Sequence, residues 1–298
     1  MKEILFSAFN KAKTAIGLTG LPLAVSRFTS HRKVVMLCYH NPTRSLFESH
    51  VSWLKQHFDP ISFALFIKAV RERDRSILPP RPLVVTLDDG WKANVELIAV
   101  LVKYSFPILI YLTAGIIGTS RRFWWLAVKE KCGDPQPLKR LPSHEFFKVL
   151  HDRFAYDPEK EYPERCALSW DEVYRLRKTG LVEFGSHSVT HQILTNCPDD
   201  MAWKEIVESK HMLECKLDEP IIHFGYPNGN YSPREKEMLQ AAGYATGRTN
   251  RVGWVNINTA TNLYDLATLR MPDNDNIPQL SYALAGFDVL RKNLTRRT

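Results

Sequence analysis

Residues 84–91 read Val-Val-Thr-Leu-Asp-Asp-Gly-Trp, an apolar run that ends in two adjacent carboxylates, a glycine and an aromatic residue. The apolar part is typical of a strand buried on both faces, as in a parallel sheet. Asp88 and Asp89 would repel each other at such a strand end, and burial would strengthen the repulsion. A polar turn is one interpretation, because Asp-Gly is a common turn dipeptide. The other is a cation that offsets the repulsion, and this requires further ligands elsewhere in the chain.

The rest of the chain alternates short apolar runs with longer helical patterns. We predict strands at 34–39, 83–87, 107–113, 181–185, 221–224, 244–247 and 268–270, and helices at 47–57, 63–73, 93–104, 169–180, 200–217 and 232–242. This alternation predicts an α/β fold with a parallel sheet covered by helices. In such folds the residues that follow the strands collect at one edge, where the chemistry takes place.

Composition and charge are those of an ordinary soluble protein, with 44% hydrophobic and 24% charged residues among 298. The net charge of +8, from 40 basic and 32 acidic residues, favours anionic partners. The basic residues are scattered, apart from a cluster at Arg291, Lys292, Arg296 and Arg297. We therefore expect a solvated basic surface and no nucleic-acid partner.

The cysteines indicate a reducing compartment. Their number is odd, their spacing is irregular and none forms a Cys-x-x-Cys pair, which argues against a disulfide framework or a structural zinc. They are Cys38, Cys132, Cys166, Cys197 and Cys215.

The N-terminus is not typical of a secretion signal, because Glu3, Lys11 and Lys13 interrupt its apolar stretch. No apolar stretch reaches the ~20 residues that a bilayer requires. We therefore predict a cytoplasmic protein. Apolar residues at helical spacing, from Leu5 to Ile16, predict a helix that either docks on the body, which we favour, or makes peripheral contact with the inner membrane face.

A pair of histidines follows the predicted strand at 181–185. His187-Ser-Val-Thr-His191 has the i, i+4 spacing of metal-binding helices, and the two rings would share one face if this loop enters a helical turn. The spacing alone is weak, but the carboxylate pair at another strand end strengthens it. Two histidines and one aspartate supply three ligands, the number that catalytic zinc uses when a fourth position is left for water. Such a cation would also hold the neighbouring carboxylate ionised.

These residues resemble a known family. Thr86-Leu87-Asp88-Asp89-Gly90 and His187-Ser188-Val189-Thr190-His191 are similar to the first two motifs of the polysaccharide deacetylases, also called the NodB-homology domain or carbohydrate esterase family 4. The resemblance extends from about residue 34 to 272 and includes a variant third motif at 224–229. It implies a distorted (β/α) barrel of parallel strands that removes N-acetyl groups from glycans with a divalent metal. By motif position, Asp89, His187 and His191 would be the metal ligands and Asp88 the general base.

The expected chemistry agrees with this assignment. A bound metal lowers the pKa of water toward ~7 and polarises an amide carbonyl. Asp88 would take the proton of the attacking water, a step worth ~10²–10⁴-fold in rate. The backbone N–H of Asn228, in the third motif, would stabilise the oxyanion.

Two positions depart from the family pattern. Gly225 stands where the third motif usually has an arginine that orients the base, and Leu269-Arg270-Met271-Pro272 stands where the last motif usually ends in a catalytic histidine. Arg270 is a candidate substitute for the arginine. His40 is the candidate acid, because Tyr39-His40 resembles the N-terminal Tyr-His of a circularly permuted branch of the family. The alternative for His40 is a strand-end histidine bonded to a loop.

We expect an N-terminal helical segment over residues 1–30 and one barrel domain over 31–298, with an insertion at about 118–168 before the histidine motif. The insertion contains Phe123-Trp124-Trp125, for which ordinary core packing is weighed against a wall that stacks on sugar rings.

The leading hypothesis is a metal-dependent N-deacetylase, with zinc as the metal, that acts on an N-acetylated glycan or sugar precursor inside the cell. Two alternatives remain: a non-catalytic glycan-binding protein on a decayed deacetylase fold, and a deformylase that acts on a lipid-linked sugar.

Overall fold

The computed structural model describes the backbone of residues 2–29, 33–257 and 262–287, and the side chains of residues 10–25, 33–257 and 262–287. The side chains of Leu5 and Phe9 and the basic cluster at 291–297 lie outside the described residues. Nine strands are present in these ranges: β1 (Lys33–Tyr39), β2 (Asp59–Pro60), β3 (Pro82–Leu87), β4 (Ile108–Leu112), β5 (Val182–Ser186), β6 (His223–Gly225), β7 (Thr246–Val252), β8 (Val255–Asn256) and β9 (Leu266–Arg270).

The strands form a closed barrel. Seven of them pair in parallel in the order β3, β4, β5, β6, β7, β9 and β1, and the pairing of β1 with β3 closes the circle. β2 adds in parallel to β3, and β8 runs antiparallel to β1. The β7–β9 register is irregular between Arg248 and Val252. The predicted distorted α/β barrel of parallel strands is therefore confirmed.

Helices follow most strands and cover the barrel. They are α1 (Lys2–Leu18), α2 (Leu21–Thr29), α3 (Arg44–His57), α4 (Phe63–Glu72), α5 (Ile98–Tyr104), α6 (Trp124–Glu130), α7 (Ser143–Phe154), α8 (Trp170–Lys178), α9 (Asp199–Leu217), α10 (Pro233–Ala241) and α11 (Ile277–Leu284). The start of α8 follows from its sequence, since Ser169 and Glu172 each accept a hydrogen bond from the other's backbone N–H. Such caps stabilise a helix by ~1 kcal/mol.

Alternate residues of β1 enter two different cores. Val35, Leu37 and Tyr39 belong to the large core beneath the covering helices, whereas Val34 and Met36 belong to a second core with α4. The backbone N–H groups of Phe63 and Ala64, at the start of α4, donate to the Glu183 carboxylate on β5 at 2.6 and 2.9 Å. α4 therefore packs against the barrel by way of β5.

The predicted insertion between β4 and α8 forms α6, a short 3-10 turn at Pro137–Arg140, and α7. It has a small core of its own, made by Trp124, Val128, Leu138, Phe146, Leu150 and neighbouring residues. This segment therefore adds a folded lobe beside the strand ends.

The N-terminal helix docks on the body of the protein, as the favoured interpretation expects. α1 approaches α11 so closely that a Cβ on Gly17 would lie 2.1 Å from the Pro278 carbonyl oxygen. Ile16, Leu18 and Leu21 remain exposed, at 39%, 72% and 55%. No helix in the described ranges is long and apolar enough to span a membrane. Peripheral membrane contact and a cytoplasmic location stay predictions, which binding to anionic vesicles and cell fractionation would test.

Candidate active site

One cavity at the carboxyl ends of the strands gathers every catalytic and metal-ligand candidate of the sequence analysis. The two aspartates after β3, the histidines after β1 and β5, the asparagine after β6 and the arginine that ends β9 all line it. They are His40, Asp88, Asp89, His187, His191, Asn228 and Arg270. Because parallel strands carry their following residues to one edge, residues far apart in sequence meet here.

The Asp-Asp-Gly stretch is both a turn and part of the site. Asp89 and Gly90 have left-handed backbones, with φ of 74° and 77°. This conformation is costly for Asp89, and strain of this kind concentrates at functional sites. A Cβ on Gly90 would lie 2.7 Å from Ile117 Cδ1, so a side chain there would have to displace the end of Ile117. The turn aims both carboxylates into the cavity.

The histidine loop is not helical, so the helical turn considered for His187–His191 is wrong. Its backbone reverses through left-handed residues, with φ of 63° at Ser188 and 62° at His191. Glu205 on α9 holds the loop by accepting hydrogen bonds from the backbone N–H groups of Val189 and Thr190, both at 2.9 Å. The rings meet because α9 fixes this loop, and the i, i+4 spacing gave no sign of that contact.

Asp89, His187 and His191 form a ligand set that fits a divalent metal. Asp89 Oδ1 lies 3.6 Å from His187 Nε2 and 3.3 Å from His191 Nε2, and it is buried without a hydrogen-bond partner among the described residues. The other oxygen, Oδ2, accepts from Trp91 Nε1 at 2.9 Å. His187 Nδ1 lies 2.7 Å from the Gly225 carbonyl oxygen, which can only accept, so Nδ1 carries the proton and Nε2 keeps a free lone pair.

The protonation states also suit metal binding. Burial raises the pKa of Asp89, but the neighbouring imidazoles of His191, His40 and His187 outweigh it and hold that pKa below its usual range. Burial lowers the pKa of His187 to about 4. At neutral pH the carboxylate is therefore charged and the imidazole neutral, the forms in which both residues bind metals.

Arg248 on β7, which the sequence analysis did not single out, makes the contact that was expected of Arg270. Its guanidinium is fully buried and donates to Asp88 Oδ1. It also donates to Asn250 Oδ1 at 3.2 Å and lies 4.9 Å from the centroid of the Tyr111 ring. Arg270 is exposed on the cavity wall, and within the described ranges no hydrogen bond or ion pair joins it to Asp88. The prediction that Arg270 replaces the missing arginine is therefore wrong.

The glycine at position 225 is explained by the same contact. Gly225 and Arg248 are paired residues on the neighbouring strands β6 and β7. A Cβ on Gly225 would lie 3.0 Å from His187 Nδ1, 3.0 Å from Tyr111 Cγ and 3.1 Å from an Arg248 terminal nitrogen. The glycine therefore leaves the space that the arginine of the next strand occupies.

Asp88 is an ionised carboxylate with one oxygen bound and the other facing the cavity. Burial raises the pKa of Asp88, but Arg248, His187 and His40 outweigh it and keep that pKa below its usual range. Cys38, His40 and Asp88 form a second cluster of candidate ligand atoms. Burial raises the pKa of the Cys38 thiol, so the thiol is protonated at neutral pH.

His40 points toward Asp88. Its Nε2 lies 3.8 Å from Asp88 Oδ2, and its side chain is 22% exposed to the cavity. Its backbone is held on both sides, because its N–H donates to Asp273 Oδ1 at 3.1 Å and its carbonyl accepts from Asn94 Nδ2 at 3.2 Å. The loop contact considered as the alternative thus involves the backbone and leaves the ring free to act.

Asn228 lies in the 3-10 turn Pro227–Gly229 with a left-handed φ of 56°. Asn250 Nδ2 donates to its carbonyl oxygen at 2.9 Å, and Lys139 Nζ donates to its side-chain oxygen at 2.9 Å. These contacts fix the turn beside the cavity. The oxyanion role of its backbone N–H stays a prediction.

Only part of the predicted aromatic wall faces the cavity. Phe123 and Trp124 are buried, with 0% and 2% exposure, although Trp124 also lines the cavity. Trp125 is half-buried, lies 4.6 Å from the His191 ring between centroids and is 6.2 Å from Trp91. Trp91 and Trp125 thus present the aromatic surface beside the metal ligands.

Comparison with known proteins identifies the family. The model of the polysaccharide deacetylase family matches residues 75–247, more than half of the chain. The chain belongs to the polysaccharide deacetylase family. The resemblance seen in the sequence is thereby confirmed. No curated protein sequence matches the chain.

Solved structures show the same polysaccharide deacetylase fold. A deacetylase of Streptococcus pyogenes, PplD, solved in complex with acetate, aligns with a TM-score of 0.63 and 16% identity over 85% of this chain and 98% of its own. A de-N-acetylase from Aggregatibacter actinomycetemcomitans aligns with a TM-score of 0.61 and 15% identity over 84% of this chain and 99% of its own. IcaB from Ammonifex degensii aligns with a TM-score of 0.60 and 18% identity over 85% of this chain and 97% of its own. At these identities the likeness establishes the fold alone.

Proposed function

We propose that this polysaccharide deacetylase removes N-acetyl groups from an N-acetylated sugar or glycan with the help of a divalent metal. One observation carries the proposal: a buried Asp89 oxygen, which has no hydrogen-bond partner in the part of the chain that the structure describes, lies beside His187 and His191. The Asp88 carboxylate next to it is bound by Arg248 through one oxygen. Two imidazole nitrogens and one carboxylate oxygen are the donors of a three-ligand catalytic zinc site, so zinc fits best.

Different residues of the chain would bind the metal, take up the proton of water and stabilise the oxyanion. Asp89 Oδ1 and the Nε2 atoms of His187 and His191 would hold the metal, which when bound supplies Lewis acidity toward water and the amide carbonyl. Arg248 occupies Asp88 Oδ1 and thereby leaves Oδ2 to take the proton of the attacking water. The backbone N–H of Asn228 would donate to the oxyanion that develops on the carbonyl.

His40 is the proposed acid. Amide cleavage expels an amine, which leaves readily only when it is protonated, so a proton donor must lie within reach of the amide nitrogen. His40 Nε2 lies 3.8 Å from Asp88 Oδ2 and borders the same cavity. Asp88 would take one proton from water and His40 would give one to the amine, which balances the reaction.

We predict that His40→Gln lowers turnover by ~10²-fold or more while folding and metal content stay at the wild-type level. Acetate release and metal analysis of the purified variant check this. His144→Gln, at an exposed histidine on α7, is the matched control and should have no effect. Unchanged turnover in His40→Gln would leave the reaction without an identified acid.

The metal proposal is tested by acetate release from a panel of N-acetylated sugars before and after chelation. Chelation is expected to abolish acetate release, because the attacking water and the amide carbonyl lose their activation. Added zinc should restore acetate release. Asp89→Asn should bind less metal than the wild type, whereas Asp134→Asn, at an exposed carboxylate of the insertion, should bind the same amount. Full acetate release from metal-free protein would contradict the proposal.

Neither alternative gains support from the site. The glycan-binding hypothesis was motivated by the missing arginine and histidine, and Arg248 and His40 now stand beside Asp88 in their place. A deformylase would use the same residues, so the panel includes N-formyl sugars. Faster release of formate than of acetate would favour that activity.

A further inference from the structure

Three cations on the cavity wall take no part in the chemistry described above. Lys129 and Lys139 come from the insertion, and Arg270 ends β9. All three line the same cavity as the metal ligands and the aromatic residues Trp91 and Trp125.

Lys139 is held in a defined place. Its Nζ donates to Asn228 Oδ1 at 2.9 Å, which brings the ammonium to the proposed oxyanion turn. Its carbonyl oxygen and that of Leu141 accept from Asn196 Nδ2 at 2.9 and 3.0 Å. The insertion is thus fastened to the loop after β5, and Lys139 is half-buried at that junction.

The three cations are not neutralised within the described ranges. None of them forms an ion pair there, and the only hydrogen-bond partner of the Lys139 ammonium is the neutral amide of Asn228. Burial lowers the pKa of Lys139, and the nearby charges of Arg270 and Lys129 lower it further, whereas the charges of Asp89 and Asp134 oppose this shift without outweighing it. A half-buried ammonium close to two like charges is unfavourable unless an anion joins it.

The carboxylates of the cavity are already engaged. Asp88 binds Arg248, Asp89 belongs to the metal ligand set, and Asp273 accepts the backbone N–H of His40. A bound divalent metal would further balance the two adjacent aspartates. Within the described residues, the positive charge of this wall is therefore open to solvent and available to an anionic ligand.

We propose that Lys129, Lys139 and Arg270 form a phosphate subsite, and that the substrate is an N-acylated sugar that carries a phosphate ester close to the acylated ring. This rests on the proposed deacetylase function. A guanidinium can donate two hydrogen bonds to a phosphate at once, and the two lysine ammonium groups add positive charge. These three side chains therefore match the charge of a phosphate dianion or a diphosphate. Such a group could link the sugar to a nucleoside or to a lipid.

Binding tests the subsite independently of turnover. The metal-loaded protein is titrated calorimetrically with glucose 1-phosphate and with methyl glucoside, neither of which has an acyl group to lose. We expect the phosphate to bind ~10-fold or more tightly, with a preference that weakens as salt rises. Lys139→Gln and Arg270→Gln should each remove most of that preference. Lys131→Gln, an exposed lysine two residues beyond Lys129 and outside the cavity lining, is the matched control and should keep it.

Turnover then separates the sources of the phosphate. Acetate release is compared for the methyl glycoside, the nucleoside-diphosphate derivative and a short prenyl diphosphate derivative of one N-acetylated sugar, and the derivative with the highest kcat/KM identifies the source.

Equal binding of the two glucose probes, phosphate binding that survives Lys139→Gln and Arg270→Gln, or tighter binding of glucuronate than of the phosphate would overturn the subsite. Acetate release from the methyl glycoside without any phosphate preference would refute the subsite alone. Phosphate binding that depends on Lys139 and Arg270, without acetate release from any substrate, would refute the deacetylase function and leave the subsite standing.

Discussion

Asp88→Asn is expected to lower turnover by ~10²–10⁴-fold while the protein keeps its fold and its metal. The amide oxygen of asparagine can still accept the hydrogen bond of Arg248, but the amide nitrogen cannot take a proton in place of Oδ2. Metal content should not change, because the proposed ligands are Asp89, His187 and His191. Acetate release, metal analysis and thermal unfolding of the same preparation measure the three quantities.

Asp171→Asn is the matched control, because it removes the same charge at an exposed position in the first turn of α8. It should match the wild type in all three measurements. If Asp88→Asn released acetate at the wild-type rate, or if it lost the metal, the assignment of Asp88 as base and not ligand would be wrong.

Arg248→Met is expected to reduce both stability and turnover. The variant leaves the buried Asp88 carboxylate without its partner, and breaking a buried pair in this way costs ~3–5 kcal/mol in the free energy of unfolding. Turnover should fall by at least ~10²-fold, because Asp88 loses both its fixed orientation and the charge that keeps it ionised. Urea unfolding and acetate release measure the two effects.

Arg251→Met supplies the control on the same strand. Arg251 is half-exposed and pairs with Asp265 at 3.3 Å, a surface contact worth only ~0–1 kcal/mol. The double variant Gly225→Arg/Arg248→Gly moves the guanidinium to the paired position on β6 and should recover part of the lost turnover. An Arg248→Met variant as stable and as active as the wild type would contradict the role of the pair.

The barrel could be predicted because its strands appear in the sequence as short runs of apolar residues. β1 and β3 are buried along nearly their whole length, so they read as continuous apolar segments followed by polar residues. The number of strands and the closure through β1 and β3 depend on pairings between distant segments, and no local pattern encodes them. The same alternation placed His40, Asp88 and His187 at one edge before any contact was known.

The partners of these residues were harder to find. Arg248 was missed because the predicted strand ended at residue 247, whereas β7 runs from Thr246 to Val252 and carries the arginine inside the barrel. Gly225 suggested a loss of function when taken alone, and only its pairing with Arg248 gives the reason for the glycine. Glu205 and Trp91 support the site through contacts that no motif records.

Anomalous diffraction at the zinc edge from crystals grown with zinc tests the central claim most directly. The proposed site predicts one strong peak at ~2.0–2.2 Å from Asp89 Oδ1 and from the Nε2 atoms of His187 and His191. A peak beside Cys38 and His40, or no peak between Asp89 and the two histidines in zinc-replete crystals, would contradict it.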